Sequence, residues 1–280
     1  MTSRRNFLRQ TAVAALGVTV FSKMSALAEK KVGNIGVQLY SVRKEMLADA
    51  RGTLEKLSRL GYKELESARS EKGNYYGLSP KEMKRTCDHF GLTMRSGHIH
   101  VDENFQRSLD DAKEVGQEYL ICSTMPTEGQ TVDNYKRVAD AFNKSGEACR
   151  KLDIKFGYHN HEYEFQSENG KVLYDVLLEN TDSKLIHMEL DLGWVVAAGK
   201  DPLDYFKRFP GRFPLWHLKD MNLQEKHSTE FGKGGLKIAG MLSTREQSGM
   251  RYFFVEQEEY THTALESLKE DIEYLKKMEY

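Results

Sequence analysis

Four short runs in the second half of the chain end in residues able to hold a divalent cation: Tyr158-His-Asn-His-Glu162, Glu189-Leu-Asp191, Trp216-His-Leu-Lys-Asp220 and Val255-Glu-Gln-Glu258. One Asp, one or two Glu and several His make a donor set suited to Mn²⁺, Zn²⁺, Fe²⁺, Co²⁺ or Mg²⁺ rather than a thiolate centre. Each cluster follows a stretch of β-branched and aromatic residues and precedes a helix-like stretch. The ligands converge only if these strands lie parallel around one centre, with the chemistry at their C-terminal ends.

Strand periodicity sorts the candidates. In the run 155–162 the period of two puts His159 and His161 on one side and Tyr158 and Asn160 on the other. Which of His159, His161 and Glu162 ligates a metal is open at this level; Glu162 and His161 are also the candidate bases. Asp191 stands just before a break at Gly193, so its carboxylate is expected at the rim. His217 shares a face with Lys219, and Glu256 shares one with Glu258. Burying such pairs for stability alone costs more than it returns, so a bound cation is the economical explanation. In the first half, Gln38, Glu66, His98 and His100 also fall at strand ends. Gln38, His98, His159 and Glu258 are expected to contact a polyhydroxylated substrate, with His100 further out. Trp194 and Trp216 are expected to stack on a sugar ring.

The elements that must position these groups alternate along the chain. Strand-like segments at 35–40, 62–66, 92–98, 119–122, 154–161, 185–192, 213–218 and 252–256 are each followed by a helix-like one, at 45–60, 80–90, 105–115, 132–152, 172–178, 203–209, 236–247 and 264–278. Ser79-Pro80 and Asp201-Pro202 open helices, and Gly61, Gly91 and Gly116 close them. Eight such units in about 250 residues predict an α/β fold of the (β/α)₈ or TIM-barrel type, a single domain with its site on the C-terminal face. A doubly wound open sheet would scatter the four clusters along an edge. The Gly-rich segment Phe231-Gly-Lys-Gly-Gly235 follows the seventh strand, where a barrel can cradle phosphate, although a flexible loop over the site is the more frequent meaning of such a run.

Lys and Arg number 41 against 42 Asp and Glu, a formal net charge of −1, so no overall field draws nucleic acid or an anionic membrane. The three cysteines, Cys87, Cys122 and Cys149, include no CxxC pair and read as buried free thiols. At the N-terminus, Ser3-Arg-Arg-Asn-Phe-Leu-Arg9, a weakly apolar run and Ala26-Leu-Ala28 form the pattern of a twin-arginine export signal. Residues 1–28 are therefore expected to be removed, leaving 29–280 as the barrel of a periplasmic protein with no membrane anchor. No later run approaches the ~20 apolar residues of a span.

The ordered set Tyr-His-Asn-His-Glu, Leu-Asp-Leu-Gly-Trp, Trp-His-Leu-Lys-Asp and Val-Glu-Gln-Glu resembles the xylose isomerase-like barrel superfamily of sugar isomerases and epimerases, which also holds inosose dehydratase, 3-keto-glycoside-processing lyases and endonuclease IV. The resemblance spans roughly residues 35–258. It implies a metal set of Glu, Asp, His and Glu from the last four strands, carried here by Glu162 or His159, then Asp191, His217 and Glu256. It further implies a sugar or keto-sugar substrate, proton abstraction beside a carbonyl to give a metal-stabilised enediolate, Lys219 facing the developing oxyanion, and frequent homodimers. Isomerisation, epimerisation, dehydration and lyase cleavage share that first step. Trp194 stands where many relatives carry His, and the endonuclease's extra zinc ligands are not evident, which disfavours DNA repair. A sugar-binding barrel without turnover is the alternative of another class.

Overall fold

The computed structural model describes residues 32–280. The export reading of 1–28 and the first residues of the expected domain lie outside them.

Eight parallel strands close into a barrel: β1 (Gly36–Gln38), β2 (Glu64–Ser67), β3 (Thr93–Ile99), β4 (Tyr119–Cys122), β5 (Lys155–His159), β6 (Ile186–Asp191), β7 (Leu215–Leu218) and β8 (Tyr252–Val255). Each pairs with its sequence neighbours, and β8 pairs back onto β1. All eight expected strands are present, so the open-sheet alternative falls.

Helices cover the outside of the barrel. Pro80–Phe90 starts in a capping box of Ser79 and Glu82 and ends at Gly91 in the left-handed conformation. Ala264–Lys277 starts in a second box, of Thr263 and Glu266. The expected helix over 45–60 is two, Arg43–Ala48 and Ala50–Leu60, because the Asp49 carboxylate accepts from Gly52 N–H and begins a new helix there. Two hairpins, Ser167–Glu168 with Lys171–Val172 and Asp220–Asn222 with His227–Thr229, were not anticipated.

Alternation divides the strand side chains between two compartments. Outward residues such as Phe156, Tyr158, Met188, Leu190, Trp216 and Leu218 are buried under the helices. Inward residues at the N-terminal end form a small plug of Tyr119, Ile121, Leu215 and Phe254. Above that plug the interior turns polar: Gln38, Glu66, His98, His159, Glu189, Asp191 and His217 are all buried there. The three cysteines are free and buried as expected, and burial pushes their thiols up to about 11–12. Among the described residues no helix is long and apolar enough to cross a membrane.

Candidate active site

Register builds the site. His159 on β5 pairs with Glu189 on β6, Asp191 pairs with His217 on β7, and Gln38 pairs with Glu66 across β1 and β2. Each lies at or near the C-terminal end of its strand, so their side chains meet inside the barrel mouth. Ligand atoms of His159, Asp191, His217 and Glu256 all lie within 4.8 Å of one another, and those of His98, His159, Glu189 and His217 form a second such group.

The groups are tightly interlocked. His217 lies with Nε2 2.6 Å from Glu66 Oε2 and Nδ1 2.9 Å from Glu256 Oε2. His98 Nε2 meets Glu189 Oε2 at 2.7 Å, and Gln38 donates to Glu66 at 2.9 Å. Lys219, which is buried, reaches Asp191 Oδ2 at 3.1 Å, Glu256 Oε2 at 2.9 Å and Glu258 Oε1 at 2.7 Å. Its stem passes so close to the backbone that a Cβ at Gly193 would collide with it. This is a physical reason for glycine in the Leu-Asp-Leu-Gly-Trp run. Asp191 is fixed from behind as well, since its Oδ1 accepts from Trp194 N–H at the start of the helix Leu192–Ala197.

Electrostatics follow from this crowding. Burial alone would hold Lys219 down, but Asp191, Glu256 and Glu258 together raise it well above its ordinary value. The same burial penalty on Glu256 is outweighed by Lys219 and His217, which keep it ionised. For His98, Glu66 and Glu189 override burial and push it up to about 9. At His161 the pull of Glu256 does not suffice: burial, then Lys219, takes it down to about 4, leaving a neutral imidazole at neutral pH. Burial also lowers His159, with His217 adding to it, and raises Glu258 against the pull of Lys219.

A divalent cation fits this donor set. His159 Nδ1, Asp191 Oδ2, Glu189 Oε1 and Glu66 Oε1 are buried without a hydrogen-bond partner, although Asp191 Oδ2 also faces Lys219. Orphaned buried donors and acceptors of this kind are costly unless something completes them. His159, Asp191, His217 and Glu256 would hold the ion.

Over the cluster opens a polar cavity of about 240 Å³, with His98, His159 and Glu256 at its floor and His161, Glu258, Arg69 and Tyr40 in its walls. His100, expected further out, also lines this cavity and is hydrogen-bonded to Arg69.

Two expected site residues belong elsewhere. Glu162 is not in the cluster: β5 ends at His159, the chain turns into the short helix Tyr163–Phe165, and the Glu162 carboxylate pairs with Lys226 at 2.6 Å with 42% of its side chain exposed. Trp216 points away from the barrel interior and stacks on Phe206, with rings 3° from parallel and centroids 4.9 Å apart. Its neighbours His217 and Lys219 face inward, so alternation alone places it outside. Trp194 is half-buried near the mouth, with Lys219 Nζ 4.9 Å from its ring centroid. Glu66 and Glu189 also belong to the cluster, facing His217 and His98; the parity of Glu189 with Asp191 is the sequence signal for the second.

The Gly-rich loop is no phosphate cradle. Asp220 fills it, accepting from the N–H groups of Met221, Gly232, Gly234 and Leu236 at 2.9–3.1 Å. A Cβ at Gly234 would strike that carboxylate.

A family model described as xylose isomerase-like TIM barrel matches residues 54–278. Inosose dehydratase of Geobacillus kaustophilus is 22% identical over 194 residues, 60% of this chain and 61% of its own, so the chain spans less than two thirds of that relative. Among solved structures, a sugar phosphate isomerase/epimerase from Parabacteroides distasonis superimposes with a TM-score of 0.79 at 28% identity, covering 88% of this chain and 99% of its own. The IOLI protein with a bound zinc atom shares the fold at a TM-score of 0.69 and 14% identity, covering 86% and 96% of the two chains.

Proposed function

The chain belongs to the xylose isomerase-like TIM barrel family, and on that premise we propose that it is a divalent-metal-dependent enzyme that shifts a proton on the carbon beside the carbonyl of a sugar or keto-sugar. The observation that carries this reading is the convergence of His159, Asp191, His217 and Glu256 beneath a polar cavity walled by Glu258 and His161. A divalent cation bound there supplies Lewis acidity toward a carbonyl oxygen.

The chain's own residues do the rest. Glu258 is the base: its carboxylate lines the cavity and burial raises its affinity for a proton. Lys219, 2.7 Å from Glu258 Oε1, supplies the positive charge toward which the oxyanion of the enediolate develops. Neutral His161 hydrogen-bonds a substrate hydroxyl, and Gln38 holds Glu66 in place behind His217. Glu162, tied to Lys226, leaves the list of bases. Return of the proton to the neighbouring carbon gives the isomer, and return to the opposite face of the same carbon gives the epimer.

The test pairs metal analysis with proton exchange. Purified protein from Glu29 onward should carry near-stoichiometric Mn, Zn, Fe or Co, and should exchange deuterium from solvent into keto-sugars at the carbon beside the carbonyl, followed by NMR. A folded protein that takes up no metal from an excess sinks the reading in favour of a sugar-binding barrel. Dehydration is the second reading, supported by the similarity to inosose dehydratases; growth of enone absorbance in place of exchange would select it. For residues 1–28 we keep the twin-arginine export reading and a periplasmic destination, tested by Arg4→Lys with Arg5→Lys, which should hold the chain in the cytoplasm.

A further inference from the structure

Backbone N–H groups that run past the end of a strand need acceptors outside the ladder. Beyond β8, Glu256 N–H still reaches the Leu218 carbonyl at 3.2 Å, but for Gln257, Glu258 and Glu259 the acceptors are serine hydroxyls. Ser41, in the turn Leu39–Val42, accepts from Gln257 N–H at 3.0 Å. Ser228 accepts from Glu258 N–H at 2.7 Å and from Glu259 N–H at 3.1 Å.

The Ser228 hydroxyl, which is buried, has no freedom left. A serine hydroxyl carries one proton to give and two lone pairs. Here the two N–H groups take the lone pairs, and the proton goes to Glu259 Oε2 at 2.5 Å, an oxygen that also accepts from Ser228 N–H at 3.0 Å. The side chain is thereby held in one orientation, and with it the peptide that carries Glu258.

The same hairpin holds Glu258 from two directions. Ser228 pairs with Met221 across the hairpin, which starts at the residue after Lys219. Its root is fixed by the Asp220 carboxylate among the N–H groups of the following loop. Lys219 meets Glu258 at the carboxylate, 2.7 Å from Oε1, while Ser228 meets it at the main chain. At the far tip Lys226 pairs only with exposed Glu162, a contact of a kind that contributes little.

We propose that Ser228 is a positioning residue for the proton transfer: acting through the main chain of Glu258, it holds that carboxylate between the cavity and Lys219, while Glu259 orients the serine hydroxyl. This rests on reading Glu258 as the base. A base displaced by about 1 Å can lose up to about 10²-fold in rate without any change in how substrate binds.

The test uses the whole mature protein, loaded with metal, and follows deuterium exchange into keto-sugars. In Ser228→Ala, kcat should fall by about 10- to 100-fold while KM and metal content hold. Residue-resolved amide exchange by NMR gives a readout that needs no turnover: the Glu258 and Glu259 amides should be protected in the parent and lose that protection in Ser228→Ala, with the β8 amides unchanged. Should Ser228→Ala fail to fold, Glu259→Ala carries the test, since Glu259 is exposed. It frees the hydroxyl to rotate, so kcat should fall with KM held, and Glu259→Gln, which keeps an acceptor, should recover most of the loss. Ser228→Ala with the parent's kcat, a rise in KM without a fall in kcat, or amides that stay protected overturns the brace. Glu258→Gln in the same assay separates the two readings. Collapse of exchange in Glu258→Gln beside an unaffected Ser228→Ala overturns the brace alone, whereas an unaffected Glu258→Gln, or a parent that exchanges nothing, removes the base and the brace together.

Discussion

His217 offers its two ring nitrogens to two sets of acids, Nε2 toward Glu66 and Nδ1 toward Glu256. Substituting it therefore disturbs both halves of the cluster. His217→Ala and Asp191→Asn are each expected to lose the metal, read by elemental analysis of folded protein, because four-donor sites bind weakly once one donor is gone. At the base, Glu258→Gln should lower proton exchange by at least about 10²-fold, the low end of general-base contributions. Glu162→Gln should leave the exchange rate within about threefold, since that carboxylate is solvent-exposed and paired with Lys226. A large loss in the Glu162 variant with Glu258→Gln unaffected would return the base to the fifth-strand loop. Part of this site was legible from period-two alternation: His217 with Lys219 and Glu256 with Glu258 turn into the barrel together, whereas Asp191, expected at the rim, is fully buried. Alternation ends with the strand at His159 and says nothing of Glu162 three residues on, which pairs with Lys226 instead.

Among elements, the loop after the seventh strand and the last helix share a buried acid pair. Asp271 on Ala264–Lys277 accepts from Phe231 N–H at 2.8 Å, while Glu230 binds Thr261 and Ser267. Burial, with Glu230 nearby, raises Asp271 to about 8. Its folded value lies above its unfolded one, so the folded state binds more protons between the two and stability falls as pH rises from about 4 to 8. Asp271→Asn keeps the acceptor for Phe231 and removes the charge. Its melting midpoint should exceed the parent's at pH 9, by about 2–4 °C for each kcal/mol relieved, with the difference shrinking toward pH 5. A constant difference across that range would show that Asp271 does not titrate there. The hairpin 220–229 in this region was not legible in the sequence. Its turn depends on Lys226 in the left-handed region, at φ 55°, which a lysine does not advertise.

For the whole molecule, the balance of charge in the barrel mouth decides what metal loss does. Lys219 already neutralises part of the Asp191, Glu256 and Glu258 set from within. Chelation is therefore expected to leave the barrel folded. The melting midpoint should fall by no more than about 5–10 °C, the equivalent of ~2.7 kcal/mol at a hundredfold excess of ion over Kd. Loss of the far-UV signal on chelation would show that the ion, not the core, holds the mouth together. Eight strand-helix units gave the architecture because each is a local pattern; the polar cavity over the cluster was not legible because its walls, among them Tyr40, Arg69, His161 and Glu258, come from non-adjacent segments that meet only after closure. One further consequence comes from Asp220. By seating its own carboxylate among four backbone N–H groups, the loop carries a tethered anion at a local concentration that dissolved ions cannot match. Dissolved inorganic phosphate is thereby kept off those four N–H groups, whatever the salt composition of the surroundings.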